Sequence, residues 1–225
     1  MTERDTWNEI GQNDPYCGTG GPTKAVPHLG KFAAPDTALL SEVEGEPGIL
    51  DVGCGYGRNS IPLFNKSHNI VACDVSRTMS RTVLDAGVPF VMCDIHHLPF
   101  REMAVDCLIC SHVIQHMQRD DVERVLWELR RVAKKALIVM PNPLGVACFF
   151  GARPLVHALV MFNKRPGRGF FENIPTVRGY IVNYYLPWVF ARLAKRWFDR
   201  VKVTRGTGQG RLPAFLANSL LYICS

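Results

Sequence analysis

The sequence lacks the features that mark several common classes of protein. No run of lysines and arginines is long enough to form a nucleic-acid-binding arm, although the 225 residues carry a net charge of +6. The N-terminus is polar and shows no secretory signal, so we expect a cytoplasmic protein whose thiols are reduced. No internal repeat, low-complexity segment or linker divides the chain. We therefore predict a single domain over residues 1–225, with only a weak bias towards anionic partners.

Signatures of metal binding and of several enzyme classes are missing as well. Cys107 and Cys110 form a Cys-x-x-Cys pair, but no second pair completes a zinc site, so we expect no metal. On a strand, their odd separation would place the two side chains on opposite faces. The sequence has no Gly-x-Ser-x-Gly elbow and no Gly-Lys-Ser/Thr of a phosphate-binding loop. Position 58 is Arg, which breaks the Gly-x-Gly-x-x-Gly fingerprint of nicotinamide-binding proteins.

The most informative stretch is residues 49–60, with the sequence Ile-Leu-Asp-Val-Gly-Cys-Gly-Tyr-Gly-Arg-Asn-Ser. An apolar strand, a loop with alternating glycines and the start of a helix follow one another, as at the opening of a doubly wound nucleotide-binding sheet. The glycines let a ligand approach the backbone, and the N-terminus of the helix presents free N–H groups. The carboxylate of Asp51, two residues before the first glycine, would suit a ligand that carries an ammonium group.

This pattern, Asp-x-Gly-x-Gly-x-Gly, resembles motif I of the class I S-adenosylmethionine-dependent methyltransferases. The resemblance implies that S-adenosylmethionine is the cofactor and that the loop holds its methionine end. The residues that receive this role are Asp51, Gly53, Cys54, Gly55 and Gly57.

A second acid follows the next predicted strand. Asp74 ends the apolar run 70–73, about twenty residues after the glycine loop, where doubly wound folds place an acid that binds ribose hydroxyls. We assign ribose binding to Asp74 and its neighbour Val75. Ser76 is predicted to cap the next helix. The apolar face of that helix is predicted to contain Met79, Val83 and Leu84.

A third acid, Asp94, ends the predicted strand at residues 89–93. The run from Cys93, Cys-Asp-Ile-His-His-Leu-Pro-Phe, resembles the adenine-binding segment of the same family, in the style of the ubiquinone and menaquinone biosynthesis methyltransferases. The resemblance implies that Asp94 accepts a hydrogen bond from the adenine amino group and that Ile95 packs on the ring. We interpret His96 and His97 as loop residues and not as ligands.

Ser111 and His112 follow the fourth predicted strand, at residues 105–110. Ligands of open α/β sheets bind beyond the carboxyl ends of the strands, so both residues are expected to border the reactive end of the cofactor. His112 is our candidate for a general base, which the reaction needs only when the acceptor must lose a proton. A pocket-shaping role for His112 stays open, and the other histidines considered are weaker candidates: His28, His116 and His157.

The order of predicted elements favours an α/β fold. We expect a doubly wound, seven-stranded, mostly parallel sheet with a C-terminal antiparallel hairpin, which is the Rossmann-like fold of the methyltransferases. The predicted strands are residues 48–52, 70–73, 89–93, 105–110, 136–140, 200–205 and 219–224. The other predicted helices are residues 37–43, 59–65, 119–134 and 186–198.

Two segments depart from this alternation. Residues 1–34 are polar and rich in glycine and proline, and they form either a loosely ordered extension or a lid over the ligand. Residues 141–185 mix apolar and aromatic residues with basic ones. We favour a cap over an apolar substrate for this insertion, ahead of a membrane-surface element, and a dimer interface is the third alternative.

The predicted function is methyl transfer to O, N or C of a largely apolar small molecule. The basic residues of the insertion would suit an anionic group on that molecule. Orientation of the acceptor in line with the methyl–sulfur bond would supply most of the catalysis. Stable binding of nucleic acid is not expected, and peripheral contact with a membrane is possible. The alternatives are a membrane-surface enzyme acting on a lipid or isoprenoid, a methyltransferase acting on RNA or protein, and a non-catalytic cofactor-binding subunit. The oligomeric state stays open.

Overall fold

The strands of the chain form one large sheet and one separate hairpin. The structure is a computed structural model that describes residues 3–13, 37–145, 170–175, 181–206, 217 and 219–225. The strands in these ranges are β1 Ile49–Val52, β2 Ile70–Asp74, β3 Phe90–Met92, β4 Val105–Ser111, β5 Ala133–Pro141, β6 Phe170–Pro175, β7 Ile181–Tyr185, β8 Val201–Arg205 and β9 Ser219–Cys224. The helices are α1 Glu3–Asn13, α2 Thr37–Val43, α3 Ser60–Asn65, α4 Arg81–Asp85, α5 Arg119–Val132 and α6 Pro187–Ala194, with a 3₁₀ turn at Ile114–His116.

The large sheet has seven strands in the order β3-β2-β1-β4-β5-β9-β8. Neighbours among β1 to β5 are parallel, whereas β9 runs antiparallel to both β5 and β8. The strand order reverses between β1 and β4, and a crevice at the carboxyl ends of the strands is expected at such a point. The predicted fold class is therefore confirmed, including the C-terminal antiparallel hairpin.

Apolar side chains cover both faces of the sheet, as parallel strands require. Leu50, Leu108 and Cys110 contribute to one buried cluster, and Ile49 and Cys107 contribute to the other. The two cysteines of the Cys-x-x-Cys pair thus lie on opposite faces of β4, as predicted. The structure gives both of them packing roles.

The junction between α5 and β5 differs from the prediction. The strand begins at Ala133, directly after the helix, and not at position 136. Its start pairs with β4, where Val105 is the register partner of Ala133. Lys134 Nζ donates to Asp106 Oδ1 at 2.7 Å, and Lys135 Nζ donates to the carbonyl oxygen of Glu42 at 2.6 Å. Sheet pairing and these contacts determine where the two lysines lie.

Two helices are shorter than predicted. Helix α4 begins at Arg81, because Ser76 caps the preceding turn instead, accepting a hydrogen bond from the Met79 N–H at 3.2 Å. Val83 is buried as predicted, but Leu84 is 37% exposed, so its predicted packing role is wrong. The last helix ends at Ala194 and not at position 198.

Two elements were not predicted. The N-terminal segment contains α1, and the insertion contributes β6 and β7, which pair antiparallel in a separate two-stranded sheet. The remaining parts of the two segments, residues 14–34, 146–169 and 176–180, lie outside the described residues. Within the part of the chain that the structure describes, no helix has the length and apolar character needed to cross a membrane.

Candidate functional site

The glycine loop after β1 lies where the strand order reverses. Gly53, Gly55 and Gly57 all have positive φ, which side chains disfavour. A Cβ on Gly53 would lie 2.3 Å from Val113 Cγ2, and one on Gly57 would lie 2.7 Å from Val83 Cγ2. A side chain at either position would therefore force its neighbours to move. At Gly55 an added Cβ would meet only Met79 Cε, at 3.8 Å, so the loop keeps space beside its middle glycine.

Asp51 lies beneath this loop and is 2% exposed. Its Oδ2 accepts a hydrogen bond from Ser60 Oγ at the start of α3. Burial raises the pKa of Asp51 from 3.8 to about 6, while the Ser60 hydrogen bond and the charge of Arg58 lower it. A buried carboxylate with this environment would be stabilised in its charged form by a nearby ammonium group.

Arg58, which the sequence analysis did not assign, links the glycine loop to β4. Its Nη2 donates to Ser111 Oγ at 2.8 Å. The guanidinium also lowers the pKa of Asp51 through its charge. The two opposite charges are therefore close enough to interact, and such a pair could meet the two charges of an amino-acid zwitterion. The signal was available in the sequence as a cation directly after the glycine repeat.

Asp74 closes the other side of the loop. Its Oδ2 accepts from the Gly55 N–H at 2.9 Å and its Oδ1 from the Ser76 N–H at 2.8 Å. Burial raises the pKa of Asp74, and the N–H groups of Ser76, Gly55 and Val75 act to lower it. The same carboxylate thus fixes the glycine loop and stands at the end of β2, where the sequence predicts ribose binding.

Asp94 and Ile95 begin the turn that follows β3. The Asp94 side chain is 48% exposed, and its Oδ1 accepts from the His96 N–H at 2.9 Å and lies 2.6 Å from His96 Nδ1. Partial burial acts to raise the pKa of Asp94, but the His96 hydrogen bonds outweigh it and the pKa falls. Ile95 is buried in the same apolar cluster as Leu98. An acceptor at the surface therefore adjoins a buried apolar side chain at this turn.

His112 follows β4 with a φ of +60°, a strained conformation for a residue with a side chain. Its Nδ1 lies 3.1 Å from Gln115 Oε1, and Gln115 Nε2 lies 3.2 Å from His116 Nε2. An amide oxygen only accepts and an amide nitrogen only donates, so Gln115 selects the tautomer of His112 that carries its proton on Nδ1. The lone pair of the neutral ring is then on Nε2. Gln115 was not among the residues predicted from the sequence.

Two elements contact the turn that carries these histidines. The ring of Trp7 in α1 meets the edge of the His116 ring at a centroid distance of 4.9 Å. From the insertion, Asn183 Nδ2 in β7 donates to the carbonyl oxygen of Met117 at 2.5 Å. Helix α1 reaches the end of β2 as well, where Asn8 Oδ1 accepts from Ser76 Oγ at 2.8 Å. The N-terminal helix and the hairpin thus both lie against the loops at the strand ends.

Cys54 and two of the histidines complete the set of residues predicted from the sequence. Cys54 is buried with its Sγ 3.7 Å from Ser80 Oγ, and burial raises its thiol pKa well above the usual range, so the thiol is not a nucleophile. Within the described ranges, no three His, Cys, Asp or Glu side chains form a group able to hold a metal ion. His28 and His157 lie outside the described residues.

The sequence matches the methyltransferase domain family over residues 50–139. It is 30% identical over 135 residues to an uncharacterised 37.1 kDa protein of a Streptomyces fradiae transposon, a match covering 52% of this chain and 39% of that protein. It is 28% identical over 100 residues to malonyl-[acyl-carrier protein] O-methyltransferase of Hamiltonella defensa, covering 44% of this chain and 38% of that protein. The chain thus spans less than half the length of these curated relatives.

A solved structure resembles this chain over its whole length. It is Burkholderia thailandensis 1,6-didemethyltoxoflavin-N1-methyltransferase with bound 1,6-didemethyltoxoflavin and S-adenosylhomocysteine. The TM-score is 0.61 at 15% identity, and the match covers 100% of this chain and 90% of that chain. At this identity the likeness establishes the fold, which is the methyltransferase fold predicted from the sequence.

Proposed function

We propose that this chain, whose residues 50–139 match the methyltransferase domain family, is a class I S-adenosylmethionine-dependent methyltransferase that transfers a methyl group to a largely apolar small molecule. The cofactor is S-adenosylmethionine. One observation carries the proposal: Asp51 and Arg58 bring opposite charges to the glycine loop, next to an acid at the end of β2. This set of groups matches an amino acid joined to a nucleoside.

The glycine loop would bind the methionine end. The carboxylate of Asp51 faces the α-ammonium group in this assignment, and the guanidinium of Arg58 faces the α-carboxylate. Both interactions bring an ionic group of the ligand to a complementary charge on the protein, which strengthens hydrogen bonds relative to neutral partners. Gly55 provides the open space in which the ligand approaches the backbone. Ser111, held by Arg58, borders the same region from β4.

The ends of β2 and β3 would bind the nucleoside. Asp74 accepts hydrogen bonds from the ribose hydroxyls, with Val75 beside it, while the hydrogen bonds from Gly55 and Ser76 hold the carboxylate in place. Asp94 accepts from the adenine amino group, and the apolar side chain of Ile95 packs on the ring. These roles agree with the exposed acceptor and buried apolar neighbour at this turn.

The methyl transfer itself requires alignment more than activation. The positively charged sulfur of the bound cofactor supplies an activated methyl group. The protein orients the acceptor in line with the methyl–sulfur bond, and orientation of this kind is worth about 7–11 kcal/mol. His112, in the tautomer that Gln115 selects, would accept a proton at Nε2 from an acceptor that must lose one.

The insertion is proposed to form the cap over the acceptor. The β6–β7 hairpin contacts the turn after His112, because Asn183 donates a hydrogen bond to the carbonyl oxygen of Met117. The hairpin therefore lies beside the reactive end of the proposed cofactor site. An apolar acceptor suits the aromatic content of residues 141–185, and an anionic group on it would suit the basic residues. The malonyl-[acyl-carrier protein] and didemethyltoxoflavin enzymes are named for O- and N-methylation of different acceptors, so the fold does not fix the acceptor atom.

Incubation with methyl-labelled S-adenosylmethionine and a fractionated cell extract tests this proposal. We expect label in the low-mass, organic-soluble fraction with the wild-type chain, and at least about tenfold less with Asp74→Ala when the cofactor concentration is below the wild-type dissociation constant. Label in RNA or protein would contradict the small-molecule proposal. Label only when liposomes carry the acceptor would support the membrane-surface alternative, and cofactor binding without label in any fraction would support a non-catalytic subunit.

A further inference from the structure

An ion pair on α5, formed by the buried Glu128 and the partly exposed Arg131, is tied to the backbone of the turn that follows β3. Glu128 is 3% exposed, and its Oε1 accepts a hydrogen bond from the Leu98 N–H at 2.7 Å. Arg131 Nη2 donates to the carbonyl oxygen of Leu98 at 3.0 Å, and Nη1 donates to that of Phe100 at 2.7 Å. One pair of side chains thus binds three backbone groups of a single segment.

The two side chains also fix each other. Arg131 Nε lies 2.8 Å from Glu128 Oε2, and Arg131 Nη2 lies 2.6 Å from Glu128 Oε1, so the contact is bidentate. The Arg131 hydrogen bonds hold the pKa of Glu128 below its usual range. Buried ion pairs contribute little net stability because desolvation offsets their attraction, whereas their fixed geometry can specify a conformation. The pair is therefore better suited to holding the turn than to stabilising the helix.

The segment that Glu128 and Arg131 hold begins with Asp94 and Ile95, the proposed adenine contacts. We call residues 94–100 the adenine turn. Its first residue is bridged to His97 in an antiparallel pair, and the His97 N–H donates to the Asp94 carbonyl oxygen at 3.0 Å. Leu98 comes next, and Glu128 and Arg131 bind both its N–H and its carbonyl. A displacement of Leu98 would therefore move the closed turn that carries Asp94 and Ile95.

We propose that Glu128 and Arg131 are positioning residues that set the preference of the cofactor site for adenine over related bases. The proposal rests on the proposed roles of Asp94 and Ile95. Neither Glu128 nor Arg131 contacts the ligand in this assignment. They act through the backbone of the adenine turn, whose acceptor must meet the exocyclic amino group at hydrogen-bond distance.

A comparison of two ligands separates this role from general stabilisation. S-adenosylhomocysteine carries the adenine amino group, and S-inosylhomocysteine carries a carbonyl oxygen in its place. A variant that is merely less stable would weaken the binding of both ligands equally. The ratio of the S-inosylhomocysteine dissociation constant to the S-adenosylhomocysteine dissociation constant would then not change. A displaced adenine turn would weaken the binding of S-adenosylhomocysteine more and reduce this ratio.

The experiment measures both dissociation constants by calorimetry for the wild type, Glu128→Gln, Arg131→Lys and Glu123→Gln. Glu123 is the matched control because it lies on α5 in an exposed ion pair with Arg196. We expect the wild type to prefer S-adenosylhomocysteine by at least about tenfold, as one hydrogen bond to a charged acceptor allows. Glu128→Gln and Arg131→Lys should each reduce that preference by about threefold or more, and Glu123→Gln should retain it.

Asp94→Ala, which removes the side-chain acceptor, distinguishes failure of this inference from failure of the assignment beneath it. Removal of the preference by Asp94→Ala, with a wild-type ratio in Glu128→Gln and Arg131→Lys, would overturn the positioning role alone. An unchanged preference in Asp94→Ala would overturn the adenine assignment and the inference together. Arg131→Lys keeps the charge and so provides a folded variant should Glu128→Gln fail to fold.

Discussion

Asp51 combines an unfavourable environment in the folded protein with a proposed role in binding. Its pKa is 3.8 in an exposed carboxyl and about 6 in the folded chain. Below pH 3.8 the carboxyl of Asp51 is protonated in both the folded and the unfolded chain, so it costs no stability. As the pH rises through this window, the unfolded chain ionises first and stability falls, until the full cost is present above the folded pKa. A shift of this size corresponds to about 3 kcal/mol.

Replacement of Asp51 by Asn should therefore separate stability from binding. We expect Asp51→Asn to lose the fall in stability between about pH 4 and pH 6, and to be more stable than the wild type near pH 8 by about 2 kcal/mol. Urea unfolding at several pH values measures this. The affinity for S-adenosylmethionine should rise from about pH 5 to about pH 7 in the wild type and rise less in the variant. The same pH dependence of affinity in the wild type and in Asp51→Asn would show that Asp51 does not contact the ammonium group.

The glycine loop offers a matched test of crowding at single residues. Gly53 and Gly87 both have positive φ, but an added Cβ would strike Val113 at Gly53 and nothing within 4 Å at Gly87. We expect Gly87→Ala to lose about 1–2 kcal/mol of unfolding free energy from backbone strain. Gly53→Ala should lose about 1–3 kcal/mol more from the clash, and should bind the cofactor more weakly. Urea unfolding compares the two, and equal losses would show that the loop accommodates a side chain.

At the scale of elements, the sequence predicted those defined by local signals. Helix α2, predicted at residues 37–43, is observed at Thr37–Val43, and the strand predicted at 219–224 is β9. The missed features depend on partners distant in the chain. The start of β5 is set by pairing with β4, and the Glu128–Leu98 hydrogen bond joins residues that no local pattern connects. Helix α1 and the β6–β7 hairpin have weak patterns of their own.

Helix α1 provides a prediction about closure over the site. Its Trp7 ring contacts His116, and its Asn8 contacts Ser76. If α1 belongs to a lid over the ligand, one of the two alternatives for residues 1–34, Trp7→Ala should raise the dissociation rate of S-adenosylhomocysteine roughly three- to tenfold. Stopped-flow displacement measures the rate, with Trp127→Ala as the control because Trp127 is 45% exposed on α5. A wild-type rate in both variants would contradict the lid.

At the scale of the whole molecule, the proposed site depends on the topology. The groups assigned to the cofactor lie at or just beyond the carboxyl ends of β1, β2, β3 and β4, and only parallel pairing with the observed register brings them to one edge of the sheet. The assigned acids could be predicted because each follows an apolar run. Arg58 is marked in the sequence only by its position after the glycine repeat, and Gln115 follows no apolar run. The contacts of the two residues appear only when the loop after β1 meets β4 and the turn beyond it.

Calorimetric titration with S-adenosylmethionine and S-adenosylhomocysteine tests the central claim most directly. The wild type should bind both ligands saturably. Asp74→Ala should weaken binding roughly ten- to hundredfold, because it removes hydrogen bonds to a charged acceptor. Asp106→Ala, at the opposite end of β4 beside Lys134, should bind as the wild type does. Equal affinity in all three proteins would contradict the cofactor site proposed at the strand ends, and absence of binding in the wild type would contradict it altogether.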